Sequence, residues 1–292
     1  MPYAESNGVR LYYEEAGRGT PIVFVHEFAA DLRSWEPQVR HFSRRYRCLA
    51  FNARGYPPSD VPKAKSAYSQ RIAADDIANV MRHADVAKAH IVGCSMGGFA
   101  TLHFGLNYPR MARSLTAVGV GSGSDPDKSK QFYRDNAEMA SRFLKLGAAE
   151  AVKPYQVGPA RVQLQNKDPR GFREFCQQFG EHSALGSANT LSGVQMKRPT
   201  IYSLESKLRA LKVPLHMISG DEDNNCLDPS LFIKRVCPSA SLTVFPATGH
   251  AVNLEEVDLF NRITGEFLAQ VDSGRWRPRD SRSFNKSNLL KN

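Results

Sequence analysis

The chain has 292 residues, 41% hydrophobic and 23% charged, ordinary proportions for a folded domain with a sizeable core. No apolar run is long enough to span a bilayer, and the first residues lack the apolar centre of a secretory signal, so a cytoplasmic protein is expected. The formal net charge of +10 admits attraction to anionic surfaces, but residues 275–292 carry six basic groups against one acid, and no basic groove with interleaved aromatics precedes them. No specific nucleic-acid partner is therefore expected.

In chain order, residues 9–13 alternate as a half-solvated strand, and 21–25 form a β-branched run suited to a buried strand. Ser34 is a candidate cap for a helix through Phe42, with Trp35, Val39 and Phe42 facing inward. A strand is expected over 47–51. Residues 52–59 then form a loop, because the adjacent Pro57 and Pro58 break both helix and central strand. Helical spacing returns over 69–83, followed by a short strand (90–94), a helix (96–108) and a strand (114–118). The glycine-rich stretch 119–124 reads as a hinge. From 126 to 211 the pattern is mostly helical, with the better helices at 131–146 and 169–182 and a shorter one at 204–211. Strands resume at 215–219 and 241–245, and a helix over 254–271 closes the series. Short apolar strands alternating with amphipathic helices predict an α/β fold: a mostly parallel sheet covered on both faces, interrupted by an inserted helical segment. The tail beyond Gly274 has little to bury and reads as flexible.

Gly93-Cys94-Ser95-Met96-Gly97 has the spacing of a nucleophile elbow, a tight strand-to-helix turn with a serine at its apex. Glycines on either side permit the close approach such a turn requires, and Gly98 lets the helix pack against the sheet. A serine needs a base to take its proton. His250 sits in a loop directly after a strand; His26 and His103 are the alternatives. A carboxylate is needed to orient the base, and Asp221, Glu222 and Asp223 follow the strand at 215–219. The five scattered cysteines form no CxxC pair and read as free thiols in a reducing compartment, with Cys94 packed away from the apex. No metal-ligand or phosphate-loop spacing occurs, so neither metal nor cofactor is expected.

With the elbow in its strand–helix setting and the element order from 9 to 270, the sequence resembles the α/β-hydrolase superfamily, in its serine hydrolase branch with a helical cap. The resemblance implies a core of residues 1–122 and 212–274, a cap of 123–211 and the tail 275–292. It implies a triad of Ser95, Asp223 and His250, in that chain order, with Asp221 fixing the loop. It also implies an oxyanion hole from the backbone N–H groups of Phe28 and Met96. Glu27 stands where the family usually has glycine, and Asn52 where it usually has aspartate. Arg54 in that second loop is read as structural, though it is also the one loop cation named to meet an acidic substrate. The activity implied is cofactor-free hydrolysis of a small apolar ester or lactone through an acyl-enzyme on Ser95. Cap aromatics Phe132, Tyr133, Phe143, Phe172, Phe175 and Phe179, with Met139 and Met196, are the candidate pocket walls. Two alternatives stay open: hydrolysis of a carbon–carbon bond in a diketone acid, which Ala251 after the base speaks against, and a hydrolase-like binding protein. A homo-oligomer is compatible with the sequence.

Overall fold

A computed structural model describes residues 3–284. Eight strands form one sheet: β1 (Tyr3–Ser6), β2 (Val9–Ala16), β3 (Thr20–Val25), β4 (Tyr46–Phe51), β5 (Ala89–Cys94), β6 (Ala112–Val118), β7 (Leu215–Gly220) and β8 (Ala240–Phe245). Their spatial order is β1-β2-β4-β3-β5-β6-β7-β8. The first two strands pair antiparallel, as do β2 and β4, and every later pairing is parallel. Residue alternation explains the two-sided burial. On β3, Val23 and Val25 enter one core while Ile22 and Phe24 enter the other. On β5, Ile91 and Val92 divide in the same way.

Four helices precede or enter the middle of the chain: α1 (Glu36–Phe42), α2 (Gln70–His83), α3 (Met96–Asn107) and α4 (Pro126–Leu146). Helix α2 is capped by Ser69, whose hydroxyl accepts from the Ile72 N–H at 3.1 Å. Helix α3 is buried from Met96 to Gly105, wedged between sheet and α2. After α4 come α5 (Ala148–Ala151), α6 (Lys153–Gln156), α7 (Val162–Lys167), α8 (Pro169–Gly180), α9 (Ala184–Thr190), a π-helical turn at Leu191–Gln195 and α10 (Glu205–Ala210). All of α4 to α10 lies between β6 and β7. The chain closes with α11 (Leu227–Val236), α12 (Val252–Glu255) and α13 (Val257–Asp272).

Three expectations change. Ser34 does not cap a helix: Asp31 caps a 3-10 turn at Leu32–Trp35, accepting from the Arg33 N–H, and α1 follows from Glu36. Strand β1 goes unnoticed in the sequence because four residues carry little alternation; it is held by pairing with β2. The segment after Gly274 is not without contacts. Trp276 packs on the second core, and the Arg279 N–H donates to the Pro238 carbonyl at 2.8 Å. The rest of the expected flexible tail, 285–292, lies outside the described residues. Among the described residues, no helix is long and apolar enough to cross a membrane.

Candidate active site

The parallel register brings the carboxyl ends of β3, β5, β6, β7 and β8 to one edge. Val25 faces Gly93, Cys94 faces Val118, Val118 faces Ile218, and Gly220 faces Phe245. The loops leaving these ends carry Glu27 and Phe28, Ser95, Ser122, Asp223 and His250, so residues more than 220 positions apart in sequence meet because their strands are neighbours.

Ser95 occupies the turn between β5 and α3 with φ 52° and ψ −113°, a left-handed conformation unusual for a residue with a side chain. Its backbone is pinned on both sides: its N–H donates to Val118 O at 2.7 Å, and its carbonyl accepts from the Phe99 N–H at 2.9 Å. The turn tolerates no bulk nearby. A Cβ on Gly97 would collide with the Val25 carbonyl oxygen and lie 2.6 Å from that of His26, and one on Gly93 would run into Gly97 and Thr101. Met96 opens α3, so its N–H belongs to the first turn, which has no intrahelical acceptor.

His250 is buried and its Nδ1 donates to Asp223 Oδ2 at 2.6 Å. That bond leaves Nε2 as the nitrogen able to take a proton. Burial alone would push the His250 pKa down. The Asp223 charge and hydrogen bond outweigh it, and the net shift is well above the ordinary histidine value. Conversely, burial would raise the Asp223 pKa, but His250 holds it below the usual carboxylate range. Gly119 (φ 58°) leaves room for the ring, since a Cβ there would sit 3.2 Å from Cε1 and Nδ1. Asp221 is exposed and turns away from the imidazole, accepting from the Thr248 N–H at 3.1 Å. His26 is neutral and structural: its Nδ1 donates to Glu27 O at 2.7 Å and its Nε2 accepts from the Ala53 N–H at 3.0 Å. Its burial lowers the pKa to about 4. His103 lies on α3 and does not line the cavity at Ser95. Cys94 points into the second core, where burial raises its thiol pKa.

Two residues absent from the sequence reading complete the support. Glu255 is buried and grips the backbone on both sides of His250, accepting from the Gly249 N–H at 2.6 Å and the Ala251 N–H at 3.0 Å. Arg161, fully buried, neutralises Glu27 through two hydrogen bonds, one of them at 2.9 Å. It also stacks over Phe175 at 4.9 Å and Tyr155 at 5.5 Å. The Glu27 carboxylate is thereby held below its ordinary pKa although burial opposes this. The only sequence signal for Arg161 is Glu27 itself, a carboxylate in a loop with no visible partner.

Arg54 does not reach the site. Its guanidinium makes a bidentate pair with buried Asp76 (Nε–Oδ2 2.8 Å, Nη2–Oδ1 2.6 Å) and donates to Ala67 O at 2.9 Å. It is a structural clamp between the loop after β4 and α2. The expected apolar pocket is also only partly realised. Phe143, Phe175 and Phe179 pack with Phe28 and Met96 as a core between the helical segment and the sheet. Ser95 and His250 instead open onto a cavity of about 270 Å³, whose walls include Phe132 and Met139 but also Asn136, Arg161, Gln195 and Arg198. Tyr56 ties the loops beneath it: its hydroxyl donates to Phe28 O at 3.0 Å and lies 3.9 Å from Met96 Sδ. Asp223, Cys226 and His250 offer ligand atoms within 4.8 Å of one another. The carboxylate and Nδ1 already satisfy each other, however, and burial keeps the Cys226 thiol protonated.

A serine at a strained apex, a histidine with one nitrogen bonded to a buried carboxylate, and a cavity over both make a proton-transfer and nucleophile system suited to attack on a carbonyl. Among curated relatives, a 2-hydroxy-6-oxo-6-phenylhexa-2,4-dienoate hydrolase from Burkholderia cepacia is 26% identical over 274 residues, covering 89% of this chain and 91% of that one. Among solved structures, the enol-lactonase from Burkholderia xenovorans LB400 matches with a TM-score of 0.80 at 20% identity, covering 92% of this chain and all of that one. A thermophilic esterase from Thermogutta terrifontis matches with a TM-score of 0.82 at 21% identity, covering 92% and 98%. The family model described as the alpha/beta hydrolase fold matches residues 20–257, most of the chain, and the protein belongs to that family.

Proposed function

We propose that the protein is a cofactor-free serine hydrolase of small esters or lactones, with Ser95 as nucleophile, His250 as base and Asp223 as the orienting acid. The observation that carries this reading is the 2.6 Å bond from His250 Nδ1 to buried Asp223, in the cavity that Ser95 also lines. In the proposed reaction, Ser95 Oγ attacks the carbonyl carbon while His250 Nε2 takes its proton. The backbone N–H groups of Phe28 and Met96 bind the oxygen as it becomes negative. The tetrahedral intermediate collapses to an acyl-enzyme, and the proton on Nε2 passes to the departing alkoxide. Water then adds to the acyl carbon, giving its proton to Nε2, and the acid leaves as Ser95 recovers its hydrogen. Asp223 holds the Nδ1–H tautomer throughout. Residues 123–211 act as the cap that roofs the cavity, and Glu27, paired with Arg161, presents no free charge to the oxyanion.

The test is hydrolysis of a short aryl ester and a lactone, with labelling by a serine-directed phosphonate. Ser95→Ala should abolish turnover and labelling without unfolding the protein. Asp223→Asn should cost about 10⁴-fold in kcat, as loss of the orienting carboxylate does in serine triads, with Asp221→Asn costing far less. Turnover retained in Ser95→Ala would overturn the nucleophile. A vinylogous diketone acid cleaved faster than any ester by orders of magnitude would replace ester hydrolysis by carbon–carbon hydrolysis.

A further inference from the structure

Arg198 follows the π-helical turn, lines the same cavity as Ser95 and His250, and is only 8% exposed. Its surroundings differ from those of every other buried arginine described above. Arg54 has Asp76 and Arg161 has Glu27. Arg198 has no carboxylate within ion-pair distance among the described residues. Its Nη1 donates to the amide oxygen of Gln195 and its Nη2 to the Ser122 carbonyl at 2.6 Å, both neutral acceptors. A guanidinium has five N–H donors, so these two bonds leave it under-used. The plane is fixed rather than mobile: it stacks on Phe99 at 3.6 Å and near Phe132 at 5.5 Å. Phe99 lies one turn along the helix that Ser95 opens, its N–H bonded to the Ser95 carbonyl. The cation thus packs on the helix that follows Ser95 and lines the same cavity. Asp135, the acid on the cavity's helical side, is exposed at the rim and engaged by Gln131 at 2.5 Å.

A buried cation without a counter-ion is costly, and leaving it facing a cavity of ligand size makes sense when the ligand supplies the missing charge. We propose that Arg198 is the recognition residue for a carboxylate on the substrate. The substrate of the hydrolase is then an ester or lactone bearing a free carboxylate, held by the planar guanidinium while its carbonyl lies at Ser95. Arginine suits this task because its donors match a carboxylate in pairs. Burial also pushes the Arg198 pKa down to about 9, as expected of a charge waiting for a partner. The proposal rests on the serine hydrolase reading for its chemistry, but the binding of the carboxylate does not depend on turnover.

Two measurements separate the two ideas. The first compares kcat/KM for 4-nitrophenyl butyrate with that for mono-4-nitrophenyl glutarate, in wild type, Arg198→Met and Arg198→Lys. Wild type should prefer the glutarate. Arg198→Met should lose about 10- to 10²-fold on the glutarate while changing little on the butyrate, and Arg198→Lys should fall between, because it keeps the charge but not the fork. The second is calorimetric binding of monomethyl glutarate to Ser95→Ala with and without Arg198→Met. Binding should weaken by a similar factor when the arginine is lost. Methionine fills a similar volume and removes an uncompensated buried charge, so the melting temperature should hold or rise. Equal kcat/KM for the two esters in wild type, or monoester binding unchanged by Arg198→Met, overturns the carboxylate site and leaves the hydrolase standing. Arginine-dependent binding without turnover of either ester overturns the hydrolase and leaves the carboxylate site. Should Arg198→Met unfold, the wild-type ester preference and the Arg198→Lys variant decide the matter.

Discussion

A free carboxylate beside the proposed oxyanion site would work against catalysis, and Arg161 pairs the Glu27 charge. Both side chains are buried, so neither charge can be rescued by water if the other is removed. Arg161→Met should therefore destabilise the protein by about 3–5 kcal/mol, and the Glu27→Leu/Arg161→Met double variant by less than Arg161→Met alone. Urea unfolding of wild type, Glu27→Leu, Arg161→Met and the double variant checks this; a double variant as unstable as the sum of the two singles would show that the residues act independently. The pair also marks where sequence reading runs out. Ser95, Asp223 and His250 can be picked out because each sits in a short local signature at a strand end. Arg161 lies 134 positions from Glu27 in a helical stretch with many basic residues, and no local pattern singles it out. Arg54 misleads in the opposite sense: a loop arginine near other loop motifs suggests a role in the site, and its partner Asp76, on a different element, is not legible as such.

At the scale of elements, the elbow is a case where two kinds of glycine can be separated. Gly97 has ordinary backbone angles but no room, since an added Cβ would collide with the Val25 carbonyl oxygen at the end of β3. Gly147, between α4 and α5, has φ 76° and ψ 170°, and a Cβ there would meet nothing within 4 Å. Gly147→Ala should cost only the strain of the conformation, about 1–3 kcal/mol. Gly97→Ala must displace β3 or α3 and should cost about 4 kcal/mol or more. Denaturant titration distinguishes them, and equal losses would mean that the β3 loop yields easily. The strands of the core are readable from short apolar runs, which the buried parallel sheet produces directly. The helical segment is less legible. Three helices are expected where seven occur, because pieces such as Ala148–Ala151 and Lys153–Gln156 are a single turn each and exist through packing, not through a periodicity four residues can display.

For the whole molecule, buried histidines set the acid limit of stability. His26, His103 and His216 are each pushed to about 4 by burial, and His90 is lowered in the same direction. An unfolded chain binds protons at His26, His103 and His216 near pH 6.5, whereas the folded one does not until about pH 4. Stability should therefore fall as pH drops through that window, with the three strongest sites giving up to about 4 kcal/mol per pH unit. His250 does not counter this. Its raised folded value gives a contribution already complete below pH 6.5, and lost only as pH rises through the folded pKa. Urea midpoints at pH 7, 6 and 5 measure the slope, and His216→Phe should flatten it by about one proton; an unchanged slope would mean that His216 titrates normally. The buried Glu27–Arg161 pair has a further consequence, for the populations of open and closed molecules. Lifting the helical segment from the sheet would separate the two charges and let water reach both, so the pair opposes opening only by its lost attraction less the solvation regained, and not by the cost of stranding one charge in the interior. Opening is then resisted as much by the apolar packing of Phe28 against Phe143 and Phe179, and exchange of the cavity's contents would follow how often that packing loosens.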